Sequence, residues 1–334
     1  MKIIIPMAGQ GTRLRPHTLT VPKPLMPIAG KPIVHRLVED IAKVCSQPVT
    51  DIGFVIGDFG EDIQQQLKEI AQSIGAKGHI YYQEQALGTA HAIHCAQELL
   101  NGNTIVAFAD TLFKAEFVLD TNNDGIIWVQ EVDNPEAFGV VKTDEMEIII
   151  EFIEKPQTPV SNMAIIGIYF FKEGKALKAE LEYLFDNDIR VGNEYQLTDA
   201  LELMKQKGTK FVPGRVKEWL DCGNKEAAVH TNMRYLDYIK NQKLVADTAL
   251  ISNSVIIPPV YVGENVELNN TVIGPYVSIG ENTIIEDSRI RNTIIQNGSE
   301  INNANIANSM LGNFVKFHGT SSNVSIGDYT AVKE

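Results

Sequence analysis

Val272-Ile273-Gly274-Pro275-Tyr276-Val277-Ser278-Ile279-Gly280 states an aliphatic–glycine pair twice, six residues apart. The pattern extends in both directions. Val262, Leu268, Ile273, Ile279, Ile285, Ile290, Ile295, Ile301, Ile306, Leu311 and Phe317 follow one another at steps of five or six. Val262-Gly263 and Ile326-Gly327 repeat the same pair. A helix needs apolar residues at three- and four-residue steps, and a half-buried strand needs them at two. Neither produces this interval. A chain that turns a corner about every six residues does, since each short strand then sends an aliphatic side chain into a common interior. The segment predicts a parallel β-helix, with irregular coils where the step falls to five. Near Lys243 Lys and Arg thin out while Asn and Gly multiply, which divides the chain into domains 1–242 and 243–334.

Upstream, short apolar runs alternate with amphipathic stretches, the mark of a layered α/β domain. Strands are expected at 3–7, 52–56, 80–83, 104–109, 126–132, 148–153, 164–171 and 210–212. Helices are expected at 33–44, 63–74, 89–100, 175–184, 196–205 and 225–239. A chain of 334 residues is long enough for two cores, and 44% apolar content supplies them. The formal charge of −13 argues against a general nucleic-acid binder, and a small phosphorylated substrate remains compatible with it. Cys45, Cys95 and Cys222 form no CxxC pattern and suggest neither disulfides nor a zinc ribbon. The opening run Met1-Lys2-Ile3-Ile4-Ile5-Pro6 is too short for a signal peptide or membrane span, so the chain reads as cytoplasmic.

Two cationic constellations follow the first strand. In Met7-Ala8-Gly9-Gln10-Gly11-Thr12-Arg13-Leu14, glycines allow backbone N–H groups to approach phosphate oxygens, and Arg13 adds a forked donor. The spacing matches neither the Rossmann nor the Walker fingerprint. In Pro22-Lys23-Pro24-Leu25, two prolines hold one lysine on a stiff support. Two cations so close in sequence suit a triphosphate.

Together these motifs resemble the signature of the sugar-1-phosphate nucleotidylyltransferases, the glucose-1-phosphate thymidylyltransferases and their uridylyl and guanylyl relatives. The resemblance runs to about residue 240, and the tail is similar to the left-handed β-helix that some members carry. It implies a Rossmann-like (GT-A-like) mixed sheet flanked by helices, followed by that β-helix. It implies nucleotide contacts from Ala8, Gly9, Gly11, Thr12, Gln83 and Gly88, with the Gln83 amide on the base. Gly139, Glu154, Gly167 and Glu194 fall on its sugar-phosphate segments, and Asp110 and Asp221 on its magnesium positions. Arg13, Lys23 and Lys155 are the implied catalytic cations. His91 and His94 receive no role.

Three residues depart from the thymidylyl pattern. Ala8 stands where a glycine is usual, Asn224 where threonine follows Trp219-Leu220-Asp221-Cys222-Gly223, and Gly192 where an arginine holds the sugar phosphate, with Arg190 nearby. The expected reaction joins a nucleoside triphosphate to a sugar-1-phosphate with magnesium, dTTP and glucose-1-phosphate first, UTP or GTP as alternatives. A non-catalytic homologue would lack one of the cations or aspartates. Acyl transfer by the tail finds only His318 as a base. The tail is expected to assemble a homo-oligomer, because the end of a stack of coils needs capping or pairing.

Overall fold

The computed structural model describes residues 1–158, 160–319 and 323–332. The chain gathers into two compact units, one of Met1–Gly9 with Leu37–Trp219, the other of Gln10–Arg36 with Leu220–Glu334. The first elements are β1 (Lys2–Pro6), β2 (Pro27–Ile28), β3 (Lys31–Pro32), α1 (Ile33–Val44), β4 (Asp51–Ile56), α2 (Glu61–Ser73) and β5 (Lys77–Tyr82). Then come α3 (Thr89–Cys95), β6 (Thr104–Ala107), β7 (Thr111–Lys114), β8 (Gly125–Glu131), β9 (Gly139–Thr143), β10 (Ile149–Glu154) and β11 (Met163–Phe171). Next are α4 (Gly174–Asp186), α5 (Leu197–Gln206), β12 (Phe211–Arg215), β13 (Glu218–Asp221) and α6 (Lys225–Ile239).

In the first unit β6, β1, β4 and β5 lie side by side and parallel. Ile3, Ile4 and Ile5 of β1 are all 0% exposed, as a strand covered on both faces requires. The sheet is mixed, since β11 runs antiparallel to β6 and to β8. From β1 the chain steps outward to β4 and β5, then returns to lay β6 on the other side of β1. Such a reversal opens a crevice at the carboxyl ends of the two strands that flank it.

The β11–β8 register breaks between Ile165 and Tyr169, around Gly167 at φ +84°. That is a bulge on a residue without a Cβ to oppose it. The Gly167 carbonyl accepts from the Phe108 N–H at 2.9 Å, which fixes the segment leaving β6.

The tail of the second unit is a left-handed parallel β-helix. Leu250 lies beside Glu267, Glu267 beside Ile284, Ile284 beside Glu300 and Glu300 beside Lys316, all parallel. Corner asparagines record the coil length. Asn253 bonds Asn270 and Asn265 bonds Asn282 across 17 residues, whereas Asn292 bonds Asn308 across 16. These asparagines sit at positive φ, where a short polar side chain that can bond locally is tolerated. All eleven aliphatic and aromatic residues of the repeat, from Val262 to Phe317, are at most 4% exposed. Each step of five is therefore one side of a coil that loses a residue at a corner while keeping the inward side chain. Helix α6 packs on the coils within this unit, with the Asn232 side-chain oxygen accepting from the Ala29 N–H at 2.9 Å and the Ser278 hydroxyl at 2.7 Å.

Candidate active site

In the first unit Ala8 and Gly9 leave the carboxyl end of β1, and Asp110 follows the carboxyl end of β6. They therefore flank the reversal of strand order. The buried Tyr169 marks the neighbourhood. Its hydroxyl pKa is raised by burial first, then by the charges of Glu154 and Asp110. Its ring meets Phe108 edge-on with centroids 6.2 Å apart.

Gly139 and Glu154 are cross-strand partners on β9 and β10. A Cβ added at Gly139 would lie 3.0 Å from the Glu154 carboxylate, so the glycine leaves that oxygen room. Lys155 follows with its ammonium 3.8 Å from Glu154. Both side chains are exposed, and such a pair adds only about 0–1 kcal/mol to stability.

Gln83 leaves β5 and donates through Nε2 to the Gly88 carbonyl and to His91 Nδ1, each at 3.2 Å. The Gly88 carbonyl fixes the amide orientation, because the flipped form would set two oxygens face to face. Burial lowers the His91 pKa, which favours the neutral ring whose Nδ1 accepts. Sequence alone gives His91 no role. Its spacing from Gln83, eight residues away across a turn, carries no periodic signal.

Gly88 meets the loop that holds Glu194. Tyr195 donates its N–H to Leu87 at 2.8 Å and accepts from the Ala90 N–H at 3.0 Å. Gln83, Gly88 and Glu194 thus form one connected patch. Arg190 is engaged locally, donating to Asp188 at 2.6 Å and lying 4.4 Å above the Tyr195 ring.

In the second unit Gly11, Thr12, Arg13, Lys23 and Asp221 are found. The Gly11 carbonyl accepts from the Thr18 hydroxyl at 2.8 Å and from the Leu14 N–H at 3.0 Å, which folds the loop back on itself. Leu14 is buried beneath the turn, whereas Thr12 and Arg13 are exposed. Lys23 is 8% exposed, and its Cβ would stand 2.9 Å from one added at Gly11. Both cationic motifs therefore meet in one loop.

Asp221 ends β13. Its Oδ1 accepts from the Gly223 N–H at 2.9 Å, and its carbonyl from the Thr231 hydroxyl at 2.6 Å. A Cβ at Gly223 would come within 3.0 Å of both carboxylate oxygens, so the glycine cradles them. Asn224 caps α6, its side-chain oxygen accepting from the Ala227 N–H at 3.0 Å. That accounts for a residue the sequence marked as a departure, since asparagine caps as well as threonine does.

Asp110 and Asp221 offer carboxylate oxygen alone, the donor type that suits a hard divalent cation such as magnesium. Among the described residues no group of three or more His, Cys, Asp or Glu is placed to hold a metal ion. No helix among them is long and apolar enough to cross a membrane.

Residues 2–238 match the nucleotidyl transferase family model. A low-salt glycan biosynthesis nucleotidyltransferase of Haloferax volcanii is 30% identical, over 76% of this chain and 72% of its own. The bifunctional protein GlmU of Methanococcus maripaludis is 32% identical over 77% of this chain, which spans only 60% of that protein's length. Among solved structures, a UDP-glucose pyrophosphorylase complexed with UDP-glucose superposes with a TM-score of 0.58 at 26% identity, covering 71% of this chain and 98% of its own.

Proposed function

The chain belongs to the nucleotidyl transferase family, within its sugar-1-phosphate branch, and from that premise we propose that it joins glucose-1-phosphate to dTTP, giving a nucleotide-sugar and pyrophosphate. The observation that carries the proposal is the placing of Ala8-Gly9 and Asp110 on either side of the strand-order reversal, where α/β sheets bind their ligands. UTP is the second candidate. Ala8 departs from the thymidylyl pattern, and a UDP-glucose pyrophosphorylase is among the similar structures. We keep residues 1–242 as the nucleotidyltransferase domain and 243–334 as the β-helix domain, with a homo-oligomer as the assembled form.

In this mechanism an oxygen of the sugar phosphate attacks the α-phosphorus in line and pyrophosphate leaves. Two anions must approach, so the protein's task is to neutralise charge and hold the line of attack. The loop glycines and Thr12 present backbone N–H groups to the triphosphate. Lys23 neutralises it, Arg13 takes the charge that builds on departing pyrophosphate, and Lys155 covers the attacking phosphate. The Gln83 side chain meets the base, while Gly139, Glu154, Gly167 and Glu194 bound the sugar. Asp110 and Asp221 would hold magnesium, whose positive charge would offset that of the phosphates.

Pyrophosphate release from a panel of triphosphates and sugar-1-phosphates tests this. Asp110→Asn and Asp221→Asn should each lower kcat by at least about a hundredfold. Near-normal turnover of either variant with magnesium defeats the metal assignment. Turnover best supported by GTP or ATP defeats the pyrimidine assignment.

A further inference from the structure

We infer that the β-helix coil carrying Ser325, Gly327 and Asp328 is the support on which the Arg13–Lys23 loop is built, with His17 as the positioning residue between the two cations. This rests on the reading of that loop as the triphosphate site.

The loop Gln10–Arg36 groups with the β-helix in one compact unit, although some two hundred residues separate them in sequence. Its contacts run along the coil stack. His17 is 1% exposed, and its Nε2 lies 3.2 Å from the Ser325 hydroxyl. The Thr20 hydroxyl donates to the Asp328 carboxylate. Between them Gly327 receives the Pro16 ring, which would lie 2.9 Å from a Cβ added there. Farther along, the Met26 sulfur faces the Gln296 amide at 3.8 Å, and Gly30 meets the Tyr261 ring so closely that an added Cβ would lie 2.3 Å from it.

Lys225 donates to Asn323 at 2.7 Å, tying the start of α6 to the approach of the same coil. Loop positions 17, 16 and 20 are thereby held by Ser325, Gly327 and Asp328 in turn. His17 lies between Arg13 and Lys23 in sequence, four residues after the first and six before the second, so a shift of its ring moves both flanks of the turn. Burial keeps the ring neutral, which lets one nitrogen exchange a hydrogen bond with Ser325 without a buried charge. A stretch with so many fixed points has few alternative conformations, which is the preorganisation that a phosphate-binding loop needs.

Kinetics of the full chain test this, with Ser325→Ala, Asp328→Ala, their double variant, His17→Ala and His17→Gln. None of Ser325, Asp328 or His17 is assigned to substrate. The double variant should raise KM for the triphosphate about tenfold while KM for the sugar-1-phosphate stays within about twofold. His17→Ala should do the same, and His17→Gln, which retains a hydrogen-bonding side chain, should recover much of the loss. Thermal unfolding of the tail variants monitors the β-helix. A triphosphate KM unchanged in the double variant and in His17→Ala overturns the inference. So does an equal rise in both KM values, which assigns the contacts to general stability. Wild-type protein inactive across the whole substrate panel removes the parent reading and this inference with it. Active enzyme with unaffected variants removes this inference alone.

Discussion

His17 couples folding to pH. Its pKa falls from the ordinary 6.5 to about 4, chiefly through burial, with Lys225 lowering it further and Asp328 opposing. The unfolded chain therefore binds a proton that the folded one refuses between those two values. Stability is full above pH 6.5, is lost as pH falls through the window, and stops falling below about 4, where the accumulated loss is about 3 kcal/mol. The melting midpoint of wild type should drop more steeply than that of His17→Gln between pH 6.5 and 4.5. Parallel curves would show that the imidazole is not the group responsible. Nothing local in the sequence points to this residue, because its partner Ser325 lies 308 positions away. Arg13, Lys23 and Asp221 are singled out by the sequence for the opposite reason. Each sits in a short motif whose glycines or prolines fix the local backbone, whereas Asp110 stands out only as a carboxylate at a strand end.

At the scale of elements, periodicity decided what could be read. Helices α1 and α6 occupy 33–44 and 225–239 as expected, since their apolar faces repeat over three or more turns. The expected helix over 89–100 is helical only to Cys95, then tightens into a 3₁₀ turn at Gln97–Leu99 before the Asn101-Gly102-Asn103 turn. Strands β7, β9 and β13 were not anticipated. At four or five residues each, they are too short to show alternation.

Connections between elements are equally invisible locally, and Gly88 is an example. It has φ +105°, and an added Cβ would lie 2.4 Å from the Tyr195 carbonyl oxygen. Gly88→Ala should cost roughly 1–3 kcal/mol from backbone strain alone. It should also raise KM for the sugar-1-phosphate, because the displaced segment carries Glu194. Unfolding and initial-rate measurements check the two effects separately, and a variant matching wild type in both would show that the loop yields freely. In the β-helix, Ile290 is 0% exposed within the stacked interior. Ile290→Ala should destabilise the unit by about 2–5 kcal/mol, read from the denaturation midpoint. A loss well below that range would mean that the coil collapses onto the void.

For the whole molecule, the composition shift near residue 243 and the compact units divide the chain differently. Composition follows the change from α/β to coil, whereas packing assigns Gln10–Arg36 to the unit that contains the coils. A fragment of residues 1–242 puts that difference to the test. It would keep α6 but lose the β-strands 289–295 and 305–311 on which α6 packs, together with Ser278, Gln296 and Ser325. Met26 and Ile28, at 2% and 1% exposure, sit in the same loop. Fully burying one such side chain is worth about 1.5–3 kcal/mol, and a domain has only about 5–15 kcal/mol in total. Uncovering even part of the α6 face and this loop therefore removes a large share of the margin. The fragment should unfold at a much lower temperature than the full chain, and protease should cut it first within residues 10–36, where the full chain resists. A fragment as resistant as the full chain, with the same KM for the triphosphate, would show that the loop holds its shape without the coils and that the boundary in the sequence is also the boundary in packing.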